Sequence, residues 1–316
     1  MVGAKLARSL AASPPEGLVS LTLADAVTPT SPKADFEIVG RTLNITDKES
    51  VAALIAERPD VVFHLAAVVS GEAETDFEKG YAVNFDGTRN IFEAIRAQPD
   101  YAPRVVFASS IAVFGAPFPD PIPQEFFLTP LTSYGTQKVM GEMLLADYSR
   151  KGIFDGVGLR LPTICIRPGK PNLAASGFFS NILREPLVGE PAVLPVDESV
   201  RHWHASPRAA VGFLRHAMVM DTDPLGARRN LTMPGLSATV AEQIEALRRV
   251  AGDAAADLIR REPDETIRKI VAGWATRFDD GRARSFGFSA DASFDAIISA
   301  HIEDELGGKI GPGSGT

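Results

Sequence analysis

Tyr134 and Lys138 stand at the ends of Tyr134-Gly135-Thr136-Gln137-Lys138, a spacing that puts two side chains on one face of an α-helix. A free tyrosine hydroxyl is a poor base at neutral pH, and an ammonium held beside it favours the phenolate. Lowering a tyrosine pKa by about three units corresponds to roughly 4 kcal/mol. A tyrosinate of that kind can take the proton of a secondary alcohol while hydride leaves the same carbon. The alternative is a surface turn in which Lys138 pairs with Glu142, and the spacing alone does not separate the two.

Other residues fit the same chemistry. Ser110 follows the apolar run Arg104–Ala108, and polar residues at the carboxyl end of a parallel strand face the crevice where ligands bind. A hydroxyl there can donate to a substrate oxygen; an ordinary strand-end serine is the competing reading. Asn84 lies within a helical stretch although Asn is a poor helix former. Its placement predicts a hydrogen-bonding duty, orienting backbone or water near Lys138, against a solvent-facing Asn. Asp25 ends the strand Leu18–Ala24. A carboxylate there can accept both hydroxyls of an adenosine ribose and repel a 2′-phosphate, which predicts NAD over NADP; a turn aspartate is the alternative. Arg167, Arg201, His202 and His204 offer anion clamps or surface charge in equal measure. The two histidines lack a nearby carboxylate or cysteine cluster, so no metal is expected.

The elements that must position these residues alternate in type. Residues 1–10 read as a helix with Val2, Leu6 and Leu10 on one face, ended by Pro14, Pro15 and Gly17. Strands are expected at 18–24, 36–39, 61–67, 104–108 and 156–161, the run Val61–Ala67 being of the kind buried on both faces. Helices are expected at 47–58, at 77–98 as one long helix, and around Tyr134, where Val139, Met143 and Ala146 are spaced to pack inward. A further helix at 207–220 and a strand at 230–233 complete an α/β doubly wound parallel sheet of Rossmann type. Two helices after Ala238 and one at 293–306 form a small, mostly helical C-terminal lobe. The division expected is a dinucleotide-binding domain of 1–167 and about 200–235, a substrate lobe of 168–199 and 236–306, and a disordered tail of 307–316.

The chain has 316 residues, 45% of them hydrophobic, and a net charge of −8; the isoelectric point is about 5.3. An acidic chain of this kind gives no reason to expect nucleic acid or an anionic membrane as partner. One cysteine, Cys165, allows no intrachain disulfide, and with no long apolar run a cytoplasmic protein is expected. The front of the sequence is unusual. Met1-Val2-Gly3 reads as the tail of a glycine-rich phosphate loop, with Gly3 its last glycine, so the central first strand and two glycines would lie upstream. A mis-assigned start codon or a truncated clone is the expectation, with a strand supplied by a partner subunit as the alternative.

With Asp25, Leu65-Ala66-Ala67, Asn84, Ser110, Tyr134, Lys138 and Pro162 in this order, the chain resembles the extended short-chain dehydrogenase/reductase superfamily from residue 1 to about 235. That resemblance implies Tyr134 as acid/base, Lys138 lowering its pKa and holding the nicotinamide ribose, Ser110 orienting the substrate oxygen and Asn84 as supporting fourth member. It implies that Leu65, Ala66 and Ala67 flank the cofactor and that Pro162 lies near its carboxamide. Asn44 stands where the superfamily usually has an adenine-contacting Asp; an amide can still bond that ring. A narrower similarity, carried by Leu159–Asn172, Ala174–Ser180 and Phe286–Leu306, is to D-erythronate dehydrogenases. It implies oxidation of a four-carbon sugar acid by NAD, with Ser70, Glu72, Arg167, Ser176 and Ser110 as substrate candidates. Nucleotide-sugar epimerases and dehydratases share the same catalytic set and are the nearest rival; a cofactor-sensing binding protein without chemistry is the rival of another class. Whether the assembly is a homodimer stays open.

Overall fold

The computed structural model describes residues 1–169 and 175–311. It divides into two compact units, the first made of Met1–Val113, Thr132–Arg160 and Val211–Leu231, the second of Phe114–Leu131, Leu161–Ala210 and the chain from Thr232 onward. Residues 114–131, 161–167, 200–210 and 232–235, read from sequence with the dinucleotide-binding domain, cluster with the second unit.

The first unit contains α1 (Val2–Ala12), β1 (Ser20–Asp25), β2 (Glu37–Thr42), α2 (Lys48–Ile55), β3 (Val61–His64), α3 (Ser70–Thr75), α4 (Phe77–Tyr81), α5 (Gly87–Arg96), β4 (Arg104–Ser110), α6 (Ser133–Arg150) and most of β5 (Asp155–Leu161). Leu6, Ala7 and Leu10 form the buried stripe of α1, close to the stripe expected. Asp47 caps α2 by accepting from the Glu49 and Ser50 N–H groups, the usual answer to unsatisfied amides at a helix start. Strands β1 and β2 pair in parallel as one sheet; β3, β4, β5 and β9 (Asn230–Thr232) form a second, with β3 and β4 parallel. Among the described residues each of β1 and β3 pairs on one side only. β3 is also shorter than the expected run and only half-buried up to His64, with Ala66 and Ala67 exposed. The expectation of burial on both faces fails because, among the described residues, one flank of this strand carries no neighbouring strand. The core lies between the four-stranded sheet and its helices: Ile45, Val51, Ile55, Phe92, Ile95, Val105, Phe107, Leu145 and Phe154.

Two differences bear on the site. The helix expected at 77–98 is interrupted by a π-helical turn over Ala82–Asp86 that carries Asn84. On α6 the inward face is not Val139, Met143 and Ala146: Met143 is 52% exposed, and the buried residues are Gly135, Gln137, Lys138, Gly141, Glu142, Leu145 and Ser149. A polar face can pack inward because each charge on it finds a partner. The approach is close: a Cβ on Gly141 would lie 2.7 Å from Phe107 Cζ.

The second unit is mostly helical, as expected, and carries short strands as well. Beside α7 (Gly177–Leu187), the start of α8 (Pro207–Val219), α9 (Val240–Ala251), α10 (Asp253–Ala256), α11 (Glu265–Val271), α12 (Gly281–Ser285) and α13 (Phe294–Leu306) it holds two small sheets. One orders β10 (Leu236–Thr239), β8 (Arg201–Ala205) and β6 (Thr163–Ile164); the other pairs β11 (Ile259–Arg261) with β7 (Ala192–Leu194). Its core includes Phe179, Ile182, Leu183, Val240, Ile244, Leu247, Ile297 and Ile298. Of the tail expected to be disordered, residues 312–316 lie outside the described residues. Gly311 N–H, within the same stretch, donates to Leu187 O at 2.8 Å, so the tail's start is held by backbone pairing.

Candidate active site

β4 ends in Ala108-Ser109-Ser110, and each of these residues makes a different connection. Lys138 Nζ donates to Ala108 O at 2.8 Å. Ser109 Oγ donates to Glu142 Oε1 at 2.6 Å. Ser110 is half-buried, and its Oγ accepts from Ala112 N–H at 3.1 Å. Thr132 caps α6, accepting from Gly135 N–H at 3.0 Å, and Glu74 accepts from Ser133 N–H at 2.9 Å. The helix that carries Tyr134 and Lys138 is therefore anchored at its first turn from two sides.

Lys138 is 3% exposed, with Nζ 5.7 Å from the Tyr134 ring centroid and 5.0 Å from that of Phe107. Burial pulls the Lys138 ammonium down to about 8, and the Glu142 charge opposes that shift. Glu142 is fully buried and takes the Arg160 guanidinium through Nε at 2.9 Å and Nη2 at 2.7 Å. The alternative of a surface Lys138–Glu142 turn is thus not what the fold builds: both residues point inward. His64 is also enclosed. Burial, with Lys138 adding to it, pushes His64 down to about 3, so its ring is neutral. Thr88 Oγ1 donates to Asn84 O at 2.7 Å, which leaves the His64 Nε2–H to donate to Thr88 Oγ1, also at 2.7 Å.

Asn84 is 1% exposed and does not reach Lys138 directly. Its Oδ1 accepts from Val68 N–H at 2.9 Å and its Nδ2 donates to Gln137 Oε1 at 2.8 Å. The amide thus ties the segment after β3, which holds Leu65, Ala66 and Ala67, to the residue before Lys138. π-Helical turns of this kind concentrate at functional sites. Sequence reasoning missed Gln137, Glu142, Ser109 and Arg160. Glu142, one helical turn past Lys138, was the available signal and read as a surface partner.

The remaining candidates of the first unit lie at strand and helix ends. Asp25 is exposed at the end of β1, where Oδ1 accepts from Ala26 N–H at 2.7 Å. Asn44 is exposed and Oδ1 accepts from Thr46 N–H and Oγ1, so its NH₂ faces outward from that turn. Gly3 lies in the first turn of α1, where an added Cβ would stand 3.6 Å from Leu65 Cδ1, ordinary contact distance. Close helix packing therefore does not demand glycine here. The N-terminus of α1 carries no side-chain cap, and helix-start amides of that kind suit a pyrophosphate. Ser70 begins α3, and Glu72 on the same helix pairs with Lys79 at 2.6 Å.

In the second unit Pro162 is buried between β5 and β6. Arg167 Nη2 donates to Ser176 Oγ at 2.7 Å, and Arg167 N–H donates to Ser180 Oγ at 3.0 Å. Arg184 Nη1 holds Arg167 O at 2.7 Å. Two sequence candidates for a carboxylate thus come together, while residues 170–174 lie outside the described residues. His202 and His204 are committed to packing: Nδ1–H of His202 donates to Ala275 O at 2.8 Å, Nε2 accepts from Thr163 Oγ1 at 2.7 Å, and His204 Nε2 accepts from Gln243 Nε2 at 3.1 Å.

Residues 1–206 match the NAD dependent epimerase/dehydratase family. A D-erythronate dehydrogenase of Haemophilus influenzae is 43% identical over 305 residues, 96% of each chain. One of Cupriavidus necator is 46% identical over 290 residues, 92% of this chain and 89% of the relative. The crystal structure of a protein from Agrobacterium tumefaciens, described as a nucleoside-diphosphate-sugar epimerase, superposes with a TM-score of 0.94 at 60% identity, over 98% of this chain and 92% of that one. No helix among the described residues is long and apolar enough to cross a membrane. With the Rossmann-type sheet, the chain belongs to the NAD dependent epimerase/dehydratase family of extended short-chain dehydrogenases/reductases and is an oxidoreductase that uses a nicotinamide cofactor.

Proposed function

We propose that the protein oxidises a four-carbon sugar acid of the D-erythronate type at C2 to the 2-oxo acid, with NAD as acceptor. The observation that carries this reading is the enclosed Lys138 ammonium beside the Tyr134 ring, in a chain that aligns nearly end to end with two D-erythronate dehydrogenases. Tyr134 takes the proton of the C2 hydroxyl, Lys138 stabilises the phenolate that does so, and Ser110 donates to the same substrate oxygen. A nicotinamide held there would supply the acceptor for the hydride that leaves C2. Asp25 supports NAD over NADP, because a carboxylate there suits a ribose diol and repels a 2′-phosphate. Arg167, braced by Ser176, is the candidate for the substrate carboxylate, since a guanidinium matches carboxylate geometry. Ser70 and Glu72 are the candidates for its hydroxyls.

Incubating the protein with NAD and a panel of four-carbon sugar acids, followed at the NADH absorbance, tests the proposal. Net NADH with D-erythronate supports it; no turnover of any 2-hydroxy acid overturns it. The second reading, a nucleoside-diphosphate-sugar epimerase, is favoured by the description of the Agrobacterium protein. It predicts interconversion of a nucleotide sugar with no net change in external NAD.

A further inference from the structure

The buried face of α6 carries one charge that the acid–base chemistry does not use. Glu142 lies one turn beyond Lys138 and is fully enclosed, fixed by Ser109 Oγ at 2.6 Å and by the Arg160 guanidinium at 2.7–3.1 Å. Consecutive residues at the end of β4 thus serve both groups, Ala108 O holding the ammonium and Ser109 the carboxylate. Arg160 pairs with this buried carboxylate directly, and the buried Lys138 stands one helical turn from it.

We propose that Glu142 is a positioning residue that keeps Lys138 protonated, acting through its fixed negative charge one helical turn away, with Ser109 and Arg160 holding the carboxylate in place. This rests on the reading of Tyr134 and Lys138 as the acid–base pair. The other groups around Lys138 do not perform that duty. His64, from β3, is neutral. Arg160, from β5, is taken up by Glu142 itself. On the helices packed against α6, Glu72 pairs with Lys79, Glu74 accepts from Ser133 N–H, and Glu93 is engaged by Arg96 and Tyr148. Desolvation draws the Lys138 ammonium down, and Glu142 is the charge that opposes it. Without that carboxylate the lysine gives up its proton at lower pH and stops supporting the phenolate.

Two readouts on Glu142→Gln test this. The first needs neither cofactor nor substrate: unfolding of the protein alone is measured for wild type and variant over about pH 6 to 10. The variant is less stable near neutral pH, and its deficit shrinks about tenfold in the unfolding constant as pH rises and Lys138 becomes neutral in both proteins. A structural role for Glu142 alone gives a deficit that does not change with pH. The second readout is the pH profile of kcat, whose alkaline limb moves acid by about one unit in the variant. A pH-independent deficit together with an unmoved limb overturns the proposal. Should Glu142→Gln not fold, the double variant E142M/R160M replaces the buried ion pair by apolar groups of similar size, a change proteins often tolerate. Its deficit must narrow with pH in the same sense, and a constant difference overturns the proposal. Tyr134→Phe separates the two readings: full activity there defeats the acid–base assignment, whereas the pH dependence of the stability deficit judges Glu142 on its own.

Discussion

Asn84 Nδ2 donates to Gln137 Oε1 at 2.8 Å, linking the π-helical turn of Ala82–Asp86 to the residue immediately before Lys138. The same side chain accepts from Val68 N–H at 2.9 Å. Asn84→Ala therefore strands a half-buried backbone donor and a buried amide oxygen at once. Leaving such a group unpaired costs about 1–3 kcal/mol, so the variant should lose stability by at least that much in denaturant unfolding, with kcat falling as the 65–68 segment and α6 lose their tie. Asn84→Asp should be milder. It keeps the acceptor for Val68, and Gln137 can turn its buried, unpartnered Nε2 toward the new oxygen. Equal damage from both substitutions would refute the linkage.

Tyr134→Phe removes the hydroxyl alone. Positioned acid–base groups contribute about 10²–10⁴-fold, so kcat should fall by that factor while the dissociation constant for NAD stays near wild type. A variant that keeps more than about a tenth of kcat removes Tyr134 from the chemistry. Lys138→Ala should harm both kcat and NAD affinity, because Lys138 is expected to hold the nicotinamide ribose as well as the phenolate.

The alternation of strands and helices made the fold class legible, since hydrophobic period separates buried strands from helices. Candidate site residues could be named only where a residue's type suggests its chemistry, as with Tyr134, Lys138 and Ser110. What α6 buries was not legible. Its Val139, Met143 and Ala146 give an apolar stripe at helical spacing, yet Met143 is 52% exposed, and Lys138 and Glu142 turn inward. Their partners, Ala108 O and Arg160, come from other strands, and long-range pairing of that kind leaves no periodic trace. Asn84 shows the intermediate case. Its poor helix propensity flagged a duty, but Gln137 as the recipient required the folded contact. The short strands β6, β7, β8, β10 and β11 were missed because two to five residues carry too little alternation to register.

Asp25 should decide cofactor choice. The ratio of kcat/KM for NAD over NADP should exceed one in the wild type and fall in Asp25→Ala, where the repulsion of a 2′-phosphate is gone but no cation has replaced it. The exposed carboxylate at the end of β1 leaves Oδ2 beyond the Ala26 N–H contact for a diol. Equal use of both cofactors by the wild type would refute the ribose assignment, and an unchanged ratio in the variant would move the discrimination elsewhere.

Acid stability provides a test inside the second unit. His202 is 5% exposed and stacks on Phe179 with an interplanar angle of 4°. Burial pushes its ring down to about 4, while the unfolded chain keeps the ordinary value of 6.5. As pH falls from about 6.5 toward about 4, the unfolded chain takes up a proton that the folded one refuses, so stability is lost across that window. A shift of this size is worth about 3 kcal/mol at its limit. His64 in the first unit, drawn down to about 3, acts in the same sense and further into acid. His202→Gln keeps an acceptor for Thr163 Oγ1 and a donor for Ala275 O but cannot titrate. Wild type and variant should therefore converge in unfolding free energy as pH drops through the window, the wild-type curve being steeper by one proton. Parallel curves would show that His202 is not the group that refuses the proton.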